Sequence, residues 1–449
     1  MTLTVFLRGL ALGVALPLAL VATALPASAQ KKPVLIWHTE FDPGAAKVME
    51  RMVAEFHQKH PQWEAQVEQI AFGSLVTKLM AGIAAKSPPD MVHIYPPMLA
   101  SLVDKNLIVS VDDVVKAIGE PDIYPNVKQL GSINNRYYGI SYAFGVTGLG
   151  YRADVFRAKG VTPPRTWAEF EKAAQAVHEP DRGMSAVLLP GEPLFIADIA
   201  TVLLANNGGG FIDSKTFRPR FLEKANLEML EFYKVLDRYA QKGWRSHKYL
   251  DTYNGFARGD GAMHPQAYAR HTSYVERYAK PELRTADAFG VVTFPRGPSA
   301  GTREGSGSYD GELWVIFKDA ANSEGAKAFL KVFYDPKFYR DYTLTVPIHL
   351  TPIFKSVAED PSYQAAPFIQ KYRPWLTYAV DLASGSRAFP LLTSSMDDRL
   401  VPFWFELLGS NIISDMVLDV LDGKPAQEAA RRAQSRTEDL ITKLGYKRW

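Results

Sequence analysis

Cysteine is absent from all 449 residues. That excludes disulfides, thiolate nucleophiles, iron–sulfur clusters and cysteine-based zinc sites together. Charge of one sign is also lacking: 51 Lys and Arg stand against 48 acids, a formal net charge of +3. No run of like charges supplies the basic stripe that a phosphate backbone needs, so no nucleic-acid partner is expected. Beyond the first 29 residues no apolar run approaches the length that spans a bilayer. No Gly-x-Ser-x-Gly elbow occurs, which removes the most easily recognised hydrolase motif. Gly208-Gly209-Gly210 and the pair Gly305 and Gly307 precede no Lys-Ser/Thr, so neither reads as a phosphate loop. Tandem repeats and low-complexity linkers are missing as well.

What is present begins with an address. Arg8 is the only charge in residues 1–29, Leu10 to Leu25 is apolar apart from small residues, one Pro and one Thr, and Ala27-Ser28-Ala29 fits the small-x-small cleavage rule. The pattern predicts a signal peptide over 1–29, cleavage after Ala29 and a soluble chain in the periplasm. With no Cys at the cleavage site, no lipid anchor is expected.

The mature chain then alternates strand-like and helical patterns. Val34 to Trp37 reads as a short buried strand. Ala45, Val48, Met49, Met52, Val53 and Phe56 recur at helical spacing. Residues 64–70 alternate like a half-exposed strand, Leu75 to Ala84 is helical, and Asp90 to Tyr95 reads as a third strand. Strand–helix–strand–helix–strand predicts parallel pairing with right-handed crossovers, hence an open α/β sheet with ligands beyond the carboxyl ends of its strands. Residues 138–143 and 148–151 read as a β-type pair. Thr166 and Glu169 form a capping box before a helix. Residues 287–294 and 312–317 read as strands flanking a Gly-rich loop. A last helix starts near Pro425 and stops at Gly445.

The chemistry-bearing candidates are few. His57 and His60 lie three apart on a helix, but no third ligand follows nearby, so no metal and no cofactor are expected. Asp310 with Glu312 and Asp397 with Asp398 are paired carboxylates of the type glycosidases use, with a turn Asp and a helix-starting acidic pair as the structural readings.

Four ordered stretches carry a family resemblance. They are Ala84 to Val92 with the following Leu99, Leu102, Asn106-Leu107-Ile108 and Asp112-Asp113; Gly148 to Phe156 with Gly160, Pro163-Pro164 and Thr166 to Phe170; Phe256 to Met263; and Val401 to Phe405 with Lys424 to Ala429. Together they resemble the extracellular solute-binding proteins of bacterial ATP-binding-cassette importers, in the carbohydrate-type branch that includes maltose-binding protein. Arg152 and Ala153 depart from that family's usual Asn-Lys.

The resemblance implies an α/β chain with the type II periplasmic-binding-protein fold, two discontinuous lobes joined by hinge crossovers. Lobe one takes residues 30–142 and 287–345, and lobe two takes 147–286 and 346–449. The implied activity is ligand capture by hinge closure, without catalysis, by a monomer that delivers its solute to membrane permease subunits. A sugar, oligosaccharide or polyol is the expected ligand, with a glycerol phosphodiester or other polar solute as the alternative. A secreted carbohydrate-active enzyme and a sensor protein are the competing readings. Aromatic faces with carboxylates and amides suit sugars. The ligand-binding residues expected on that basis are Trp37, His38, Glu40, Asp42, Tyr95, Phe144, Glu192, Tyr268, Tyr309, Asp310 and Trp404.

Overall fold

The computed structural model describes residues 31–71, 74–385, 388–390 and 401–449. The expected signal peptide and the Asp397–Asp398 pair lie outside the described residues, and the side chains of Tyr268 and Asp310 are likewise not described.

Strand β1 (Lys32–His38) leads through helix α1 (Pro43–Lys59) to β2 (Trp63–Gln69), and α2 (Leu75–Ala84) leads to β3 (Met91–Ile94). Both β2 and β3 pair parallel with β1, as the alternating pattern predicts. Val34 and Ile36 point into the core while Leu35 is 38% exposed, so β1 is half-buried rather than buried throughout. The apolar stripe of α1 (Ala45, Val48, Met49, Met52, Phe56) is buried against this sheet. His57 accepts the Ala65 amide proton at its Nε2 (3.0 Å), and His60 packs on Phe56 and Trp63.

After α3 (Pro96–Asp104), β4 (Ile140–Ser141) ends the first passage and β5 (Gly145–Arg152) opens a second sheet. Helix α4 (Trp167–Val177) starts at the capping box. The Thr166 hydroxyl accepts the Glu169 amide proton (3.2 Å), while the Glu169 carboxylate reaches one residue further back, to the Arg165 N–H (2.7 Å). Then follow β6 (Ser185–Val187), α5 (Pro193–Asn206), α6 (Lys224–Arg238), α7 (Tyr249–Arg258), β7 (Gly261–Tyr268), α8 (His271–Tyr278), β8 (Phe289–Val292), β9 (Gly307–Asp310) and β10 (Leu313–Ile316). The described chain closes with α9 (Arg373–Ser384), β11 (Ala388–Pro390), α10 (Trp404–Gly409), α11 (Ile412–Leu421) and α12 (Ala426–Lys443). Among the described residues no helix is long and apolar enough to cross a membrane.

The first sheet has the order β2-β1-β3-β10-β4, and the second β11-β9-β5-β7-β6 with β8 also on β5. This moves two boundaries. Strands β8 and β9 pair antiparallel with β5, so the chain rejoins the first sheet at Leu313 rather than from residue 287. Ile353 and Phe354 still bond the segment at 123–124 of the first lobe, whereas α9 packs on β5, β8 and β9 and Phe389 of β11 lies in the second core, so the chain returns to the second lobe with α9 rather than from residue 346. The physical reason is common to both. A strand or helix pattern states that a segment has an apolar face, but its partner is set by long-range packing.

Three chain segments lie side by side between the sheets. Tyr142 N–H bonds the Glu312 carbonyl (3.2 Å), and Phe144 N–H bonds the Thr351 carbonyl (2.9 Å). The approach is close enough that a Cβ on Gly311 would sit 2.1 Å from Ser141 Oγ and 2.6 Å from the Ala143 carbonyl oxygen. Glycine is therefore required where the second crossover passes the first.

Candidate functional site

A cavity of about 140 Å³ lies where this hinge meets both sheets. From the first sheet come Thr39, Glu40 and Phe41 in the loop after β1. Tyr142, Glu312 and His349 come from the hinge segments, and Phe195, Tyr249, Tyr253, Arg270 and Tyr274 from the helices of the second sheet.

The loop after β1 is shaped by its own carboxylates. Asp42 caps α1, accepting from the Gly44 (2.8 Å) and Ala45 (3.3 Å) amides, with Pro43 in the first turn. Glu40 Oε1 accepts from the Phe41 (2.9 Å) and Asp42 (2.8 Å) amides, and its Oε2 accepts from Arg270 Nη2 at 2.7 Å. The Glu40 side chain is 1% exposed and that of Arg270 15%. The guanidinium also sits over the Phe41 ring, 4.6 Å from its centre. Burial opposes the Arg270 charge, but Glu40, Tyr142 and Tyr274 together outweigh this and hold its pKa above the ordinary value.

Glu312 is the second carboxylate of the lining. Its Oε2 accepts from the Thr39 hydroxyl (2.5 Å) and lies 3.2 Å from His93 Nδ1. Two carboxylates thus face one guanidinium. His349 adds no charge, because burial and then Arg270 hold its pKa well below the ordinary value, and its buried Nδ1 has no partner. Counting carboxylates against the guanidinium alone, the lining has one carboxylate in excess, Glu312, with the buried His93 ring beside it. Burial, and secondarily Glu312, keep the Tyr142 hydroxyl protonated and able to donate.

The aromatic wall is built by helices. Glu192, the residue before α5, accepts the Tyr249 amide proton (2.7 Å) at the start of α7, bringing the Phe195 and Tyr249 rings to 4.7 Å. Tyr249 and Tyr253 follow at helical spacing, and Tyr253 contacts Tyr274 of α8 at 5.5 Å.

Of the residues expected from sequence, Glu40 lines this cavity. Tyr95 is half-buried close by, near enough for Glu312, after burial, to raise its hydroxyl pKa. Glu192 and Asp42 stand behind the wall as anchors of backbone amides. Trp37 lies near the end of β1, paired on both sides, with the Lys78 ammonium 4.3 Å from its ring centre. His38 is buried beside His93, its pKa lowered to about 3, first by burial and then by that neighbour. Three expectations are corrected by burial. Phe144 and Tyr309 are fully buried and stack on each other at 5.3 Å, with the Tyr309 hydroxyl bonding Gln129 (3.1 Å). Trp404 is 2% exposed in the second core beside Phe211. Each packs its ring within the protein, leaving no face for a solute. Tyr268 and Asp310 stand at the ends of β7 and β9.

Sequence reasoning did not select Phe195, Tyr249, Tyr253, Tyr274, Glu312 or His349, which line this cavity. Its one usable signal was the four-residue repeat Tyr249/Tyr253 and Arg270/Tyr274/Tyr278, a polar-aromatic stripe on two successive helices. A larger open groove, about 850 Å³, lies on the second lobe over Trp167 and Phe232. Its Glu228 is already bonded to Asn207 (2.9 Å) and Ser299 (2.6 Å).

This two-sheet fold with a cleft at its hinge is that of the periplasmic binding proteins. Residues 51–371 match the bacterial extracellular solute-binding proteins, and the chain belongs to that family. A ribitol complex of an ABC-transporter solute-binding protein from Agrobacterium radiobacter K84 superposes with TM-score 0.74 at 22% identity, covering 91% of this chain and 100% of that one. A D-mannitol complex from Agrobacterium vitis S4 gives 0.72 at 18% identity, covering 92% and 99%. In Escherichia coli K12 the protein YcjN, whose name describes a periplasmic-binding protein of an ABC transporter, is 21% identical over 161 residues. That match covers 34% of this chain and spans about a third (36%) of YcjN's length.

Proposed function

We propose that this chain is the monomeric, exported binding component of an ATP-binding-cassette importer, released into the periplasm by cleavage after Ala29. Its cleft takes one small, neutral, polyhydroxylated solute, a sugar unit or a polyol, and presents it to membrane permease subunits. The carrying observation is the composition of the hinge cavity. Aromatic rings provide apolar faces, and Glu312, Arg270, His349 and tyrosine hydroxyls provide a rim for hydroxyl groups. At about 30 Å³ per water, the volume corresponds to roughly five waters, the scale of one small solute and not of an oligosaccharide. The ribitol and D-mannitol complexes of similarly folded proteins support this reading.

Charge argues against the phosphodiester alternative. Arg270 is already neutralised by Glu40, and Glu312 would oppose an anion. A thermal-shift screen of the mature chain tests the proposal with ribitol, D-mannitol, monosaccharides, maltose and glycerophosphodiesters. A neutral sugar or polyol should raise Tm with concentration. A shift by the phosphodiester alone would overturn it.

A further inference from the structure

Glu40 and Arg270 belong to different lobes, the first to the loop after β1 of sheet one, the second to the turn between β7 of sheet two and α8. Their 2.7 Å contact therefore crosses the cleft. A second crossing lies on α3, where Ser101 Oγ (3.1 Å) and Lys105 Nζ (3.0 Å) meet Glu406 of α10. The Tyr446 hydroxyl donates to Asp104 in the same region (2.5 Å). Only the first of these crossings lines the cavity.

The Glu40 carboxylate is fully engaged: two backbone amides hold one oxygen, Arg270 takes the other, and the side chain is 1% exposed. It presents nothing to a solute. Arg270 keeps further N–H donors on the cavity wall. We infer that Glu40 is a positioning residue that never touches the solute, and that its cross-lobe bond to Arg270 couples lobe closure to completion of the binding site. With the lobes apart, Arg270 is withdrawn from Glu40 and the cavity lacks its principal cationic donor. With the lobes together, Glu40 neutralises and aims it. The loop is preset for this, because the amides that grip Glu40 are those of Phe41 and Asp42, and Asp42 is itself locked as the cap of α1.

This deepens the binding reading above, but its test needs no solute. The cysteine-free chain accepts clean paired spin labels at Glu50→Cys and Lys280→Cys, both exposed and on opposite lobes. Electron–electron distance measurements then report opening in four backgrounds: wild type, Glu40→Gln, Arg270→Met and the double variant. Gln keeps the oxygen that accepts the two amides but offers Arg270 no carboxylate. Removing one partner of a buried charge pair should raise the population of the longer distance roughly tenfold or more. If Glu40 acts through Arg270, Glu40→Gln adds nothing in the Arg270→Met background. An unchanged distance distribution in both single variants, or additive effects in the double variant, would overturn the inference. Additivity would mean that Glu40 merely stabilises its own loop. Solute affinity of the same four proteins for ribitol and D-mannitol, measured separately, bears on the ligand and not on this coupling.

Discussion

Replacing Glu312 by Gln isolates the one cavity carboxylate that has no Arg or Lys partner among the described residues. In the wild type, Glu40 and Arg270 cancel, and Glu312 remains with one oxygen engaged by Thr39 and near His93. The substitution keeps size and shape, so packing against Tyr142 and Gly311 is preserved. It removes the charge from every hydrogen bond made to Glu312. A bond to an ionised partner contributes about 1–1.5 kcal/mol more than its neutral counterpart, so a sugar or polyol whose hydroxyl donates to Glu312 should bind roughly 5- to 15-fold more weakly. An anion should behave oppositely, since repulsion from the carboxylate disappears. Isothermal titration of both proteins with the solute that emerges from the thermal screen, and with a phosphodiester as the anionic control, reads both effects. Equal affinity of Glu312→Gln and wild type for a neutral solute would refute the charge argument. So would a wild type that prefers the phosphodiester.

Trp404→Ala should cost about 3–5 kcal/mol in denaturant unfolding, because a ring 2% exposed leaves a core cavity, while the affinity of the remaining folded protein stays unchanged. Tyr309→Phe should lose about 1 kcal/mol, the bond to Gln129, again without effect on affinity in a titration. Gly311→Ala forces a Cβ into Ser141 and the Ala143 carbonyl; it should destabilise by about 1–3 kcal/mol and broaden the inter-lobe distances. His38 and His264 are held neutral by burial, with pKa values lowered to about 3. The unfolded chain binds protons there near pH 6.5, so their contribution is full above that pH and is lost as pH falls towards 3. Each should lower stability by about 1.4 kcal/mol per pH unit in that window, seen as a falling Tm between pH 6.5 and 4. The slope should shrink in His264→Asn if the reasoning holds.

Much of the architecture was legible because its signals are local. Val48, Met52 and Phe56 recur at helical spacing and must share a face. Thr166 and Glu169 mark a helix start by hydrogen-bonding capacity alone. The parallel pairing of β1, β2 and β3 follows from intervening helices that leave no room for hairpins. The site was less legible. Glu40 was expected from sequence to bind ligand; that it stands in the cavity wall saturated by Phe41, Asp42 and Arg270 depends on atoms that meet only after folding. Trp404 and Tyr249 look alike as aromatic residues opening helices, but one faces Phe211 and the other the cleft.

The sequence by itself determined an export-type leader, a cysteine-free α/β chain and the family resemblance, because composition, periodicity and ordered motifs are properties of neighbouring residues. The tertiary structure alone decided where the chain rejoins its first sheet, which aromatic rings are core, and that Arg270 crosses the cleft to Glu40. Those outcomes depend on contacts between residues as far apart as 40 and 270, and the energy that selects them, burial of apolar surface and satisfaction of buried charge, exists only once the lobes are assembled.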